Sequence, residues 1–288
     1  MTIRTILVPV DGSRAAKPAM ACGLALGRDL DAHVDVLHVR PDPNDTIPLL
    51  GEGMSVSMIE DMIELANRDG AERTASGRRM FDDLVEKLAL PVKDTPEAAG
   101  ASAQWSEEIG RDDEVTARRG RLADLIVVGR PTTASDVSST MTLNAALFDS
   151  GRPVLVVPPD GAAGLGGNIA ISWNGSAQSA RAVGSAMPLI GRAENVTVLT
   201  AASDKTSAAR APELAAYLEW RGISPATRSF TPENRQSIGA ALLAECAGAG
   251  IDLLVMGAYT HSRMRQLILG GVTRHVLEEA SIPLFMAH

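Results

Sequence analysis

Short apolar runs alternate along the chain with longer segments whose apolar residues recur at helical spacing. The run "TILVPV" is followed by an Ala-rich amphipathic stretch and then by "HVDVLHV", His33 to Val39. "SAQWSEE" (Ser102 to Glu108) and "ATRSFT" (Ala226 to Thr231) predict further strands. Runs such as "LIVV" and "LLVM" are apolar on both faces, as buried parallel strands are. This alternation predicts an α/β fold with a parallel sheet and right-handed crossovers.

The pattern occurs twice. "TILVPVDGSRAAKPAMACGLALGRDL" resembles "NIAISWNGSAQSARAVGSAMPLIGRA", which begins at Asn168. The two halves also end alike, because "ADLIVVGRPTT" matches "IDLLVMGAYTH" and "SGRPVLVVPP" matches "ASIPLFMAH". A repeat of this size predicts two copies of one domain, 1–158 and 168–288. The Pro- and Gly-containing stretch "PPDGAAGLGG" is the predicted linker.

The first half contains an additional helical segment from about Ser57 to Leu90. Its apolar residues at helical spacing include Met58, Met62, Leu65, Met80, Leu84 and Leu88. Gly70 and Gly77 weaken the prediction that this is one unbroken helix, since glycine is a poor helix former. The methionine-rich stripe predicts core packing or a helix surface that faces a partner.

A serine stands before the first predicted helix of each half, at Ser13 and Ser176. A serine oxygen at this position can accept a hydrogen bond from an unpaired backbone N–H group of the first turn. We therefore expect both serines to cap their helices.

The composition of the chain argues against several classes of protein. Apolar residues make up 45% of the chain and charged residues 22%, with a net charge of −8. The negative charge argues against nucleic-acid binding. No apolar run is long enough for a transmembrane helix and the amino terminus lacks a signal-peptide core, so we expect a cytoplasmic protein. Cys22 and Cys246 lie in helix-like segments and are expected to be buried core residues without a disulfide framework.

Candidate binding residues lie at the carboxyl ends of the strands, where ligands bind in such sheets. Asp11 and Asn174 follow the first strands, and Gly129 and Gly257 end the fourth strands. In the second half the pair Gly270-Gly271 opens a helix predicted from Val272 to Glu279. Taken alone, such a pair indicates either a simple turn or an anion site. Glycine permits close backbone approach, and a helix amino terminus favours negative charge.

Several other kinds of site are not indicated. The histidines, His33, His38, His261, His275 and His288, do not form a metal-ligand spacing, so no metal site is expected. No lysine follows a glycine-rich loop, which excludes a Walker-type phosphate loop. No nucleophile elbow, placed general base or metal-binding carboxylate pair is present. We therefore expect a protein that is not an enzyme.

"ILVPVDGS" and "DLLVMGAYTHSRMRQLILGGVTRHVLEEASIPLFMAH" are the most specific parts of a wider resemblance. Through them, and nearly from end to end, the chain resembles the universal stress protein family in its tandem two-domain form. The resemblance implies two flavodoxin-like (Rossmann-like) domains. Each is expected to contain a five-stranded parallel sheet with helices on both faces.

Nucleotide-binding members of that family carry Gly-x2-Gly-x9-Gly-Ser/Thr after the fourth strand and an Asp after the first. In this sequence Gly257 and Gly270 match, whereas Thr260, Gly271 and Asn174 replace the second glycine, the Ser/Thr and the Asp. The resemblance therefore implies that ATP, or a related adenine nucleotide, binds the second domain more weakly than in relatives with the full motif. The implied binding residues are Ser172, Trp173, Asn174, Ala201, Met256, Gly257, Thr260, Gly270, Gly271, Val272 and Thr273.

The first half shows the reverse pattern. Asp11 is present, but after Gly129 no glycine occurs until Gly151. The resemblance thus implies that this half has lost its phosphate loop. We expect no nucleotide there, and Asp11 is expected to cap the following helix.

The sequence leaves three functions open. The first is a stress-response or regulatory protein that binds an adenine nucleotide in the second domain. The second is a regulatory or scaffolding protein that binds no nucleotide, and the third is a slow ATPase. The matched strands Val154 to Val157 and Leu284 to Met286 predict that the halves pair as a pseudo-dimer, because an unpaired apolar edge is unfavourable. A homodimer through the additional helical segment is left open.

Overall fold

The computed structural model describes residues 2–42, 55–95, 100–132, 137–162, 164–202, 211–233, 236–259 and 271–288. The chain divides into two compact units. The amino-terminal unit is Arg4–Ser150, and the carboxy-terminal unit is Gly151–His288 together with Met1–Ile3. Each unit is an α/β structure in its own right.

The amino-terminal unit contains parallel strands in the order β3-β2-β1-β4. The strands are β1 (Thr5–Val10), β2 (His33–Arg40), β3 (Ser102–Ile109) and β4 (Leu125–Gly129). The helices are α1 (Lys17–Leu30), α2 (Val56–Leu88), α3 (Asp112–Gly120) and α4 (Val137–Asp149). Because β1 lies between β2 and β4, its residue Leu7 is opposite both Asp35 and Ile126.

The carboxy-terminal unit repeats this arrangement, with strands in the order β5-β10-β9-β6-β7-β8. The strands are β5 (Val154–Val157), β6 (Asn168–Ser172), β7 (Asn195–Ala201), β8 (Ala226–Phe230), β9 (Leu253–Gly257) and β10 (Leu284–Ala287). The helices are α5 (Ala177–Ile190), α6 (Ala211–Glu219), α7 (Ile238–Gly248) and α8 (Gly271–Glu279). Strand β5 is antiparallel to β10, with Leu155 opposite Phe285, and the other paired strands of this unit are parallel. The predicted α/β fold is confirmed, and the sheet is mostly parallel, with the antiparallel pair of β5 and β10 as the difference from the predicted parallel sheet.

The core of each unit explains why these strands are apolar on both faces. Ile126 and Val127 are consecutive in β4 and both are fully buried, and the same holds for Leu254 and Val255 in β9. Consecutive strand residues point to opposite faces of a sheet, so both faces of these strands are covered. Burial of a side chain of this size stabilises the fold by about 1.5–3 kcal/mol.

Helix α2 is continuous through both of its glycines. A Cβ atom on Gly77 would lie 2.7 Å from the Trp105 ring and 3.2 Å from the Cα atom of Gly12. The missing side chain thus lets the helix pass close to the turn after β1. The first turns of the helix expose Met58 and Met62, whereas Phe81 in the later turns is fully buried. The methionine-rich stripe is therefore part of the core only in its second half.

Both cysteines are free thiols in helices. Cys22 is partly buried in α1 and Cys246 is buried in α7. Burial raises the pKa of each thiol to about 12, with the charge of Glu245 as a second cause at Cys246.

Among the described residues, no helix combines the length and apolar character that crossing a membrane requires.

Candidate functional site

The predicted site of the second half lies where β6, β7 and β9 end side by side. Ser172, the last residue of β6, is opposite Met256 of β9 and Leu199 of β7. Trp173 and Asn174 continue from β6, and Ala201 and Gly257 end β7 and β9. Residues Gly271, Val272 and Thr273 form the first turn of α8. Thr260 and Gly270 lie outside the described residues.

Gly257 is in close contact with helix α5. A Cβ atom at this position would lie 2.6 Å from the backbone nitrogen of Ser179 and 2.8 Å from the carbonyl carbon of Gln178. Both atoms belong to the first turn of α5, so the amino end of that helix abuts the end of β9. The glycine is therefore required by the packing of the protein itself, whether or not a ligand binds.

Helix α8 also begins at the end of β9. The backbone N–H of Tyr259 donates to Oγ1 of Thr273, with the two atoms 3.5 Å apart. Tyr259 adopts a left-handed backbone conformation with φ of 50°. Burial raises the pKa of its hydroxyl, and the negative charge of Glu278 raises it further. Thr273 uses its oxygen as an acceptor in this contact, which leaves its O–H group able to donate elsewhere.

The turn between β6 and α5 is held by its polar side chains. Oδ1 of Asn174 accepts a hydrogen bond from the backbone N–H of Ser176 at 3.1 Å. Oγ of Ser176 accepts one from the backbone N–H of Ser179 at 3.1 Å. The predicted cap at Ser176 is confirmed. The side-chain amide of Asn174 donates no hydrogen bond within the described residues.

The corresponding turn of the first half differs. Oδ1 of Asp11 accepts a hydrogen bond from the backbone N–H of Ser13 at 2.9 Å, so Asp11 holds the turn. The predicted cap at Ser13 is wrong. The chain enters a short 3-10 turn, Arg14–Ala16, before α1 begins at Lys17, and the Ser13 side chain makes no cap bond there. Its Oγ atom is buried without a hydrogen-bond partner among the described residues.

A cavity of about 460 Å³ lies at the carboxyl ends of β1 and β4 in the amino-terminal unit. The polar residues of its lining are Asp11, Ser13, Arg73, Asp112, Arg130, Thr132, Ser139 and Thr142. Gly129 also lines it, but a Cβ atom there would come no closer than 3.8 Å to another atom. The glycine pattern of the sequence did not indicate this cavity, because no glycine follows Gly129 until Gly151. The sequence feature that could have indicated the cavity is the hydroxyl-rich stretch after Gly129. The cation that lines it, Arg73, comes from α2.

Two histidines have packing roles in this unit. The Nδ1 atom of His38 lies 3.0 Å from the carbonyl oxygen of Val10, and its Nε2 atom lies 3.1 Å from Oγ1 of Thr74. The His38 ring is buried and stacks on Trp105. The Nδ1 atom of His33 lies 2.8 Å from Oγ of Ser102, and burial lowers its pKa. Within the described ranges, no cluster of three His, Cys, Asp or Glu side chains is placed to hold a metal ion.

Comparisons with known proteins identify the family. The model of the Universal stress protein family matches residues 2–158 and 233–288. Universal stress protein Slr1230 of Synechocystis is 56% identical over 34 residues, a match that spans 12% of this chain and only 12% of that protein.

Solved structures show the same fold. A universal stress protein from Archaeoglobus fulgidus is similar over 98% of this chain and 97% of its own, with a TM-score of 0.67 and 15% identity. A protein of unknown function from Pseudomonas aeruginosa, PA1789, covers 99% of this chain and 92% of its own, with a TM-score of 0.54 and 12% identity. The family model matches more than half of the residues of this chain, and the chain therefore belongs to the universal stress protein family.

Proposed function

We propose that the carboxy-terminal unit binds an adenine nucleotide, ATP or a close relative, and that the protein acts as a regulatory stress protein without catalysis. The observation that carries this proposal is that the amino ends of two helices each contact the end of β9 or the residues that follow it. Gly257 abuts the first turn of α5, and Thr273 in the first turn of α8 accepts a hydrogen bond from Tyr259.

Helix amino ends attract phosphate groups. Each has unpaired N–H groups and a partial positive charge of about half an elementary charge. Two of them at one strand end give an anion more donors than either helix alone. Gly271 offers its backbone N–H without a side chain, and the Thr273 hydroxyl is a further donor. Asn174, two residues beyond β6, offers an amide to a ribose or base but lacks the charge of an aspartate.

The affinity is expected to be modest. Gly271 lacks the hydroxyl that family members with the full motif place there. One lost hydrogen bond to a charged group costs about 1.5–3 kcal/mol, or roughly ten- to a hundredfold in affinity. A scaffolding protein that binds no nucleotide and a slow ATPase are the alternatives. The ATPase is the less favoured of the two, because the sequence has no motif that places a general base.

Titration calorimetry with ATP tests the proposal through Gly271. A Cβ atom at this position meets no other described atom within 4 Å, so a substitution there clashes with none of the described residues. Gly271→Asp adds a negative charge that suits a helix amino end but repels phosphate, so binding should fall at least about tenfold while stability is kept. Gly271→Ser should tighten binding by about tenfold. Equal ATP affinity in all three proteins, or no binding at millimolar ATP, would contradict the proposal.

A second candidate is a ligand in the amino-terminal cavity. The buried Ser13 hydroxyl favours a polar molecule there. The charged lining is balanced, with Arg73 and Arg130 opposite in sign to Asp11 and Asp112. The prediction that no nucleotide binds in this half therefore needs its own test. ATP binding that survives Gly271→Asp but is lost in Arg73→Glu would place the nucleotide in this cavity. Loss in Gly271→Asp alone would place it in the carboxy-terminal unit.

The predicted pseudo-dimer of the two halves, the homodimer and the cytoplasmic location stay predictions. Light scattering at micromolar concentration separates a monomer from a homodimer.

A further inference from the structure

The histidine directly after β10 contacts a residue that leads from β9 towards α8. Strand β10 lies beside β9, with Ala287 opposite Gly257. The backbone N–H of Ala258 donates to the carbonyl oxygen of Ala287 at 2.8 Å. The Nδ1 atom of His288 lies 3.0 Å from the carbonyl oxygen of Ala258. The fully buried Ala258 is therefore held through both of its backbone polar groups.

This contact decides which ring nitrogen of His288 carries a hydrogen. A carbonyl oxygen accepts hydrogen bonds and cannot donate them, so Nδ1 of His288 donates to Ala258. The donor is present in the Nδ1–H tautomer and in the protonated ring alike. His288 is exposed, so a substitution there removes the hydrogen bond without opening a cavity in the core.

One peptide group connects His288 to the first turn of α8. The carbonyl of Ala258 and the N–H of Tyr259 belong to the same peptide bond, which is trans and planar. Its oxygen accepts from His288, and its N–H donates to Oγ1 of Thr273, with the nitrogen and Oγ1 3.5 Å apart. Because the group is rigid, a rotation at its carbonyl end displaces its N–H end.

The contact with Thr273 is sensitive to the orientation of this peptide group. A separation of 3.5 Å is longer than that of most N–H···O hydrogen bonds, so a small rotation would break the contact. Tyr259 also has a left-handed backbone with φ of 50°. Residues with a side chain rarely adopt this conformation, and surrounding contacts must hold it. His288 supplies one such contact, through the carbonyl of the preceding residue.

We propose that His288 is a positioning residue of the nucleotide site, an inference that rests on the proposed function. Its Nδ1–H group orients the peptide between Ala258 and Tyr259, and the N–H of that peptide donates to the Thr273 oxygen. The hydroxyl hydrogen of Thr273 then points away from Tyr259 and is available to a phosphate oxygen at the amino end of α8. Without His288 the hydroxyl loses this orientation, and a nucleotide must restore it on binding.

Two variants of similar shape isolate the hydrogen bond. His288→Asn keeps an N–H donor on the atom bonded to Cγ, as Nδ1 is in histidine, whereas His288→Leu removes the donor. Titration calorimetry with ATP should show roughly two- to tenfold weaker binding for His288→Leu, as expected for one lost hydrogen bond. His288→Asn should bind ATP within about twofold of the wild-type protein. Equal affinities of the two variants would overturn the proposal.

A double variant tests whether His288 acts through Thr273. Thr273→Val removes the hydroxyl with little change of shape and should weaken ATP binding. In the Thr273→Val protein, His288→Leu should cause no further loss, because the hydroxyl that it positions is already absent. Additive losses of affinity would show that His288 does not act through Thr273, and this too would overturn the proposal.

Hydrogen exchange in the absence of nucleotide provides a measurement that does not depend on ATP. The Tyr259 amide should exchange roughly two- to tenfold faster in His288→Leu than in the wild-type protein or in His288→Asn. The Asn168 amide, which donates to Asp252 at the start of β6, should exchange equally in all three. Unchanged exchange of Tyr259 in His288→Leu would overturn the inference. Faster exchange in a protein that binds no ATP would support the positioning of Thr273 by His288 and contradict only the proposed function.

Discussion

The carboxylate of Asp252 accepts a hydrogen bond from the backbone N–H of Asn168 at 3.1 Å. Asp252 directly precedes β9, and Asn168 is the first residue of β6. Asp124, which precedes β4, accepts a hydrogen bond in the same way from the backbone N–H of Thr5 at 3.0 Å. In each half, an aspartate therefore fastens the start of the first strand to the fourth strand. The internal repeat extends from the order of elements to individual hydrogen bonds.

Asp252→Ala should lower the free energy of unfolding by about 1.5–3 kcal/mol, because the backbone N–H groups of Gly166, Gly167 and Asn168 lose a charged acceptor. Urea denaturation measures the change. Asp160→Ala is the control, since Asp160 is exposed in the same unit and should change stability by less than about 0.5 kcal/mol. Equal midpoints for the two variants would show that the Asp252 contacts do not stabilise the fold.

Ser176 and Ser13 occupy corresponding positions but should respond differently to alanine. Ser176→Ala removes the cap on the backbone N–H of Ser179 and should cost about 1 kcal/mol. Ser13→Ala removes a buried hydroxyl that has no partner among the described residues, so stability should be unchanged or should rise. Thermal unfolding of both variants tests this difference. A loss of stability in Ser13→Ala would reveal a hydrogen bond at that hydroxyl.

The strands were predictable from sequence because a buried parallel strand has a simple pattern. The runs around Ile126 and Leu254 are apolar on both faces and rich in Val, Ile and Leu, as buried parallel strands are. The asymmetry between Ser13 and Ser176 was not predictable, since both follow the same "Gly-Ser" turn. It depends on whether the next residues form a 3-10 turn or enter the α-helix directly.

The cavities were harder to predict than the strands. The polar cavity near Asp11 depends on Arg73, which is distant in sequence and reaches the site only because α2 passes over the turn after β1. Trp173, which the resemblance implied as a nucleotide-binding residue, also lines a smaller cavity between α5 and α6, together with Leu214 and Tyr217. Such placements follow from tertiary packing and have no local sequence signal.

The two glycines of α2 should respond in opposite ways to alanine. At Gly70 a Cβ atom meets no other atom within 4 Å, so Gly70→Ala should stabilise the protein by about 0.5–1 kcal/mol through helix propensity. At Gly77 the Cβ atom would press against Trp105 and Gly12, and overpacking of this kind costs about 1–3 kcal/mol. Gly77→Ala should therefore be destabilising overall. Differential scanning calorimetry distinguishes the two, and an increase in Tm for Gly77→Ala would contradict the close contact.

The buried thiol of Cys246 should cause the free energy of unfolding to decrease at alkaline pH. Burial raises its pKa from 9.0 to about 12 in the folded protein. Above about pH 9 the unfolded chain loses this proton while the folded protein keeps it, so rising pH favours unfolding. Between pH 8 and pH 10 the wild-type protein should lose about 1.4 kcal/mol more than Cys246→Ala. Urea denaturation at the two pH values measures the difference. Parallel losses in both proteins would mean that the thiol ionises as easily in the fold as in the unfolded chain.

Gly257 and Gly129 end equivalent strands, yet only Gly257 should resist substitution. A Cβ atom on Gly257 would lie 2.6 Å from a backbone nitrogen of α5, which cannot move without displacing the helix. Gly257→Ala should thus cost about 1–3 kcal/mol. At Gly129 the nearest atom is 3.8 Å away, and alanine should change stability by less than about 0.5 kcal/mol. Urea denaturation of the two variants provides the test, and equal stabilities would contradict the contact with α5. If Gly257→Ala also binds ATP less well, the loss should accompany the loss of stability, whereas Gly271→Asp should lose ATP binding with its stability intact.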